Sequence, residues 1–172
     1  MRYAIFLRAI NVGKRRIKMA DLRAAFEKAG FADVATYLAS GNVMVTSATR
    51  PPAAAVSAVI SDRFGFESEA FIRSRSEVRS ILARTPWDPA IATIEVSFLD
   101  TMPSQHSAME LEATAVPPEE LVVSEHEVFF RRVGGGVETT HKEETTVRTL
   151  GATTTRRGLR TVQGIYDRFL QE

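Results

Sequence analysis

Two short glycine-bearing stretches hold most of the side chains in this sequence that could do chemistry together. The first is Arg8-Ala9-Ile10-Asn11-Val12-Gly13-Lys14-Arg15-Arg16-Ile17-Lys18, and the second is Ser40-Gly41-Asn42. Asn11, Ser40 and Asn42 offer amide and hydroxyl groups. Arg8, Lys14, Arg15, Arg16 and Lys18 offer positive charge, and Gly13 and Gly41 let backbone come close. Such a set suits an anion: a phosphate, a carboxylate or a nucleic-acid backbone. A smaller set, Arg157, Arg160 and Thr161, stands near the C-terminus as a secondary candidate, and Arg156 joins the two arginines in a second basic cluster.

Other chemistries find little support. His106, His126 and His141 lie far apart, and each reads as solvated surface. Glu138 and His141 share a helical face, but one such pair falls short of a metal site, and no metal is expected. Gly13-Lys14 lacks the flanking residues of a phosphate-binding loop of the nucleoside triphosphatases. Gly134-Gly135-Gly136 reads as a flexible turn rather than a dinucleotide fingerprint. No nucleophile elbow occurs. Whether the chain is an enzyme stays open, and no cofactor follows from its residues.

The elements that must position the two stretches come from periodicity. Tyr3–Ile10 is a nearly all-apolar run that suits a central strand. Leu22, Ala25, Phe26 and Ala29 recur at helical spacing, and Gly30 follows at the C′ position. Val34–Ala39 and Val43–Thr46 read as a hairpin around Ser40-Gly41-Asn42. A helix follows over Ala53–Phe64, then a strand over Glu67–Arg73. Ser74 and Glu77 form a capping box for a helix over 75–84. Thr85-Pro86-Trp87-Asp88-Pro89 breaks the pattern. Beyond it the order repeats: a strand at Ile94–Leu99, a helix at Ser104–Ala115, and a hairpin of Leu121–Val123 with Val128–Arg131. A weak Thr-rich helix at His141–Leu150, an edge strand at Ala152–Thr155 and a last helix at Leu159–Leu170 complete it.

This order gives an α+β fold of two tandem ferredoxin-like (βαββαβ) units, each followed by an extra helix, spanning 1–85 and 90–172. A single larger α+β sheet with the same element order is the alternative. In a βαββαβ unit the third strand lies between the first and second. That brings the end of strand one to the first hairpin turn, so Asn11–Lys14 should meet Ser40–Asn42. Alternation puts Phe6, Arg8 and Ile10 on one sheet face and Ile5, Leu7 and Ala9 on the other. Arg8 then either pairs with a carboxylate such as Glu69 or with carbonyls of the last helix, or faces a ligand.

The 172 residues carry a formal charge of +1, so any basic surface is local. With 44% apolar and 25% charged residues the composition is that of a soluble globular protein. There is no cysteine, and no apolar run of membrane-spanning length. A cytoplasmic protein without membrane partners is the expectation.

Leu7-Arg8-Ala9-Ile10-Asn11-Val12-Gly13, Lys18-Met19-Ala20-Asp21-Leu22 and Ser40-Gly41-Asn42-Val43 together resemble the bacterial family known as domain of unknown function 1697. That family usually has Gly where this chain has Ala9. Its Arg-Asn-Trp-Asn-Thr-Val run corresponds here to Arg157-Gly158-Leu159-Arg160-Thr161-Val162, with the Asn-Trp-Asn replaced. The resemblance implies tandem ferredoxin-like units and no assigned activity. The residues lead to three functional readings. The first is a module binding a small anionic metabolite or nucleotide at the Arg8/Asn11/Ser40/Asn42 corner. The second is nucleic-acid binding through 14–18 and 156–160, and the third is an enzyme using the same corner.

Overall fold

The computed structural model describes residues 1–90, 92–133 and 141–171. Two compact units emerge: Met1–Ser80 together with Gly164–Glu172, and Ile81–Gln163. The expected second unit runs over 90–172, and the residues from Gly164 onward group instead with Met1–Ser80. The Gly134-Gly135-Gly136 turn and Glu138 lie outside the described residues.

The first unit runs β1 (Arg2–Leu7), α1 (Met19–Lys28), β2 (Ala32–Tyr37), β3 (Asn42–Thr46), α2 (Ala53–Phe64) and β4 (Ala70–Ser74). Its sheet has the order β2-β3-β1-β4, with antiparallel neighbours throughout. Alternation along β1 sends Tyr3, Ile5 and Leu7 to the helix-covered face. There they join Val43, Val45 and Ile72 from the sheet, Leu22 and Phe26 from α1, and Val56 and Ile60 from α2. Each such side chain contributes on the order of 1.5–3 kcal/mol on full burial.

β1 is shorter than its apolar run because Ala9 takes φ +53° and ends the strand. Ile10 consequently joins the Ile5 and Leu7 cluster, not the Phe6 face that unbroken alternation gave it. The expected capping box is present. The Ser74 N–H donates to Glu77 Oε2 at 2.7 Å, and the Glu77 N–H donates to Ser74 Oγ at 3.3 Å. It starts α3 (Arg75–Ala83) directly from the end of β4.

The second unit runs β5 (Ile94–Leu99), α4 (Gln105–Glu112), β6 (Glu119–Ser124), β7 (Glu127–Arg132), α5 (Glu143–Leu150) and β8 (Thr154–Gly158). The sheet order β6-β7-β5-β8 repeats that of the first unit. α6 (Leu159–Ile165) again follows without a linker, and a π-helical segment, Tyr166–Leu170, ends the chain's last helix. Tandem ferredoxin-like units are thus what the chain forms.

Registers match between the sheets. Leu7 faces Ala70, Ile5 faces Ile72 and Ala4 faces Arg73 in the first; Leu99 faces Thr154, Ser97 faces Arg156 and Val96 faces Arg157 in the second. Arg73 and Arg157 are both buried, and each donates through Nη1 to the carbonyl of the residue before it, at 3.1 Å and 2.7 Å. No described helix is long and apolar enough to cross a membrane.

Candidate functional site

The two bends meet as the topology requires. The Leu7 N–H donates to Gly41 O at 2.8 Å. Gly41 has φ +80°, and a Cβ there would lie 2.8 Å from Ile10 Cγ1, so only glycine lets the hairpin turn approach this closely. Asn11 fastens the loop. Its Nδ2 donates to Ile17 O at 3.1 Å and to Ala39 O at 2.8 Å, while Oδ1 accepts from the Ile17 N–H at 2.6 Å. Asn42 is fully buried and donates to Tyr37 O at 2.8 Å and Ser40 Oγ at 3.0 Å. Both amides, expected to orient a ligand, therefore bond the chain's own backbone and turn.

Among the cations, Arg8 pairs with Glu69 at 3.2 Å, the carboxylate partner anticipated from the sequence. Arg15 lies 4.2 Å from the Phe66 ring centre and donates to Ala9 O at 3.3 Å. Arg16 donates to Gly13 O and Arg15 O at 2.9 and 2.7 Å. Lys14 and Lys18 are exposed, and neither has an ion pair or side-chain hydrogen bond among the described residues. Lys18 also caps α1, its carbonyl accepting from the Asp21 and Leu22 N–H groups. Gly13 and Ser40 are exposed and Gly41 is buried. The corner is a stapled loop bearing Lys14, Arg15, Arg16 and Lys18.

The secondary candidate is not a surface patch. Arg156 donates through Nε to Ser97 Oγ at 3.2 Å and through Nη1 to His141 O at 3.1 Å, and lies 4.0 Å from the Phe130 ring centre. Arg157 donates to Thr155 Oγ1 at 3.0 Å. Burial lowers its pKa to about 10, with Glu143 acting against that shift. Arg160 is exposed and Thr161 half-buried. Two of the three arginines are drawn into the second unit because β8 alternates them between the two faces of its sheet.

His106 and His126 are exposed, as expected. His141 is not. It is half-buried against Phe130, with ring centres 5.3 Å apart. Burial, then Arg156, push its pKa down, while Glu119 pulls the other way. Around it lies a polar layer that sequence reading missed. Ser97, Thr146 and Thr154 are all fully buried on the helix-covered side of the second sheet. The signal was present as the poor apolar patterning of the Thr-rich segment before and within β8. Among the described residues no group of three or more His, Asp or Glu could hold a metal ion.

The structure is similar to that of the conserved bacterial protein SP0830 from Streptococcus pneumoniae. The TM-score is 0.74 at 22% identity, over 99% of this chain and 98% of that one. At that identity the likeness speaks for the fold alone. No curated protein matches the sequence. The model of the protein family of unknown function DUF1697 matches residues 1–129, which include both bends of the corner and stop before Arg157–Val162. The chain belongs to the DUF1697 family.

Proposed function

We propose that the first unit binds an anionic small molecule, a phosphate, nucleotide or carboxylate, on the loop of residues 11–18. The observation that carries this reading is the three-bond staple made by Asn11. It holds the backbone between residues 11 and 17, so Lys14, Arg15 and Arg16 ride on an ordered loop. Fewer conformations then need freezing when an anion arrives. Lys14 and Lys18 supply point charges, while Arg15 and Arg16 supply planar donors. Arg8 contributes less, since Glu69 already matches its charge. The reading includes a cytoplasmic setting.

Thermal-shift titration at constant ionic strength with inorganic phosphate, nucleotides and small carboxylates tests it. At least one should raise Tm in a saturable way, and Lys14→Ala/Lys18→Ala should abolish the rise. No stabilisation by any of them, or the same rise in the double variant, overturns the reading.

Nucleic-acid binding is a second reading, favoured by the exposure of all four cations beside exposed Val12. It rests on residues 14–18 only, because Arg156 and Arg157 are turned inward. Four phosphate contacts would give a log–log salt slope of about −3.6 for duplex DNA. Binding that ignores salt rejects it.

A further inference from the structure

We propose that the second unit carries a binding site for a small monocarboxylate between α5 and the strands β5 and β8. It is independent of the anion loop in the first unit.

The groups share one layer by register. Ser97 and Arg156 are opposed across β5 and β8, and Thr154 lies two residues before Arg156, hence on the same face. On α5, Thr146 and Leu150 are the buried positions, and Leu150 packs with Leu99, Val128 and Phe130 of that sheet face. Glu143 precedes Thr146 by three residues and so lies on the same side of the helix.

Thr146 and Thr154 have 0% exposure, and neither hydroxyl has a hydrogen-bond partner among the described residues. A buried hydroxyl left in that state costs on the order of 1–3 kcal/mol. The fold does not require it. In the first unit the position of Thr154 is held by Ala70, and Val56 and Ile60 of α2 occupy the spacing that Thr146 and Leu150 occupy in α5. Hydroxyls retained at such cost are explained by an acceptor that arrives from outside.

Arg156 defines what that acceptor is. Its guanidinium is oriented by Ser97 Oγ, by His141 O and by the Phe130 ring. A fixed, half-buried cation on the sheet face that carries Thr154 and lies under Thr146 matches a planar carboxylate. Glu143 on the same helix side, and Glu119 close enough to act on His141, add negative charge nearby. They disfavour a dianion such as phosphate relative to a single carboxylate.

The test is an NMR titration of the full chain with acetate, propionate and lactate at constant ionic strength, with chloride and inorganic phosphate as controls. At least one carboxylate should cause saturable shifts at the amides of Thr146, Thr154 and Arg156. Thr146→Val/Thr154→Val should weaken that binding at least roughly tenfold, the loss of hydrogen bonds to a charged group. Thr146→Ser/Thr154→Ser should keep it within about threefold. If the valine pair does not fold, Thr154→Val alone is held to the same criterion. The proposal is overturned by no saturable shift at these amides, by unchanged affinity in the valine variant, or by phosphate binding as tightly. Shifts confined to residues 11–18 would also overturn it while supporting the anion loop.

Discussion

At the centre of the first sheet Ile5 stands opposite Ile72; at the matching point of the second, Ser97 stands opposite Arg156. The two units share strand order and register, so the substitution of a serine–arginine contact for an isoleucine pair is not forced by topology. Moving outward, Ala70 becomes Thr154, and the helix above buries Thr146 and Leu150 where α2 buries Val56 and Ile60. One unit has an apolar layer under its helices. The other mixes apolar residues with hydroxyls and a guanidinium there, and so gives up transfer free energy for polar contacts that a core does not need. The difference teaches that a single architecture can hold a plain core in one unit and a polar layer in the other.

Exchanging residues across the two sheets tests this division. The largest effect should come from Ile5→Ser, which puts the second unit's residue into the first. Its neighbours there are the apolar side chains of the core, so loss of burial plus an unmatched hydroxyl should cost roughly 3–5 kcal/mol in denaturant unfolding. Gly41→Ala should follow at roughly 2–3 kcal/mol, since it combines a left-handed φ with a clash against Ile10. Its counterpart is His126, whose carbonyl accepts from Leu99 N–H as Gly41 O does from Leu7 N–H. His126 is exposed, and His126→Ala should change stability by less than about 0.5 kcal/mol.

In the opposite direction, Thr146→Val/Thr154→Val should stabilise the second unit by about 1 kcal/mol, read from hydrogen exchange of β8 amides. A loss instead would mean that these hydroxyls hold the unit together.

The sign of the His141 effect is fixed by its lowered pKa. Between the folded and unfolded values the unfolded chain binds more protons, so stability rises with pH across that window. Acidification from pH 7 toward pH 5 should destabilise the wild type more than His141→Gln, by Tm difference. A modest gain is expected from Ala9→Gly. Ala9 holds φ +53°, and glycine there should add roughly 0.5–1 kcal/mol.

Element order and both sheets were legible because apolar periodicity and breakers carry them. Ala53–Phe64 and Ile94–Leu99 fall on the expected residues, and the Ser74–Glu77 box formed as its spacing indicated. The meeting of the two bends followed from connectivity alone. What the asparagines do there did not, because an amide next to a glycine turn can serve the backbone as readily as a ligand. Arg156 and Arg157 were misread as surface for a related reason. Charge argues for exposure in general, while strand alternation decides it locally. The polar layer was hidden in residues whose lack of pattern looked like weakness of the helix.

The two buried arginines that reach back to the preceding carbonyl carry a last consequence. Leu7 directs its N–H to β3, so Ile5 does too, and Ile72 at the rim of the sheet turns its carbonyl away from β1. That oxygen is taken by Arg73 and, at 2.7 Å, by Arg50. Arg157 caps the Arg156 carbonyl on the other sheet in the same way. A foreign strand adding at β4 or β8 would have to displace a guanidinium from one of the acceptors it needs, which makes these two edges poor templates for edge-to-edge pairing.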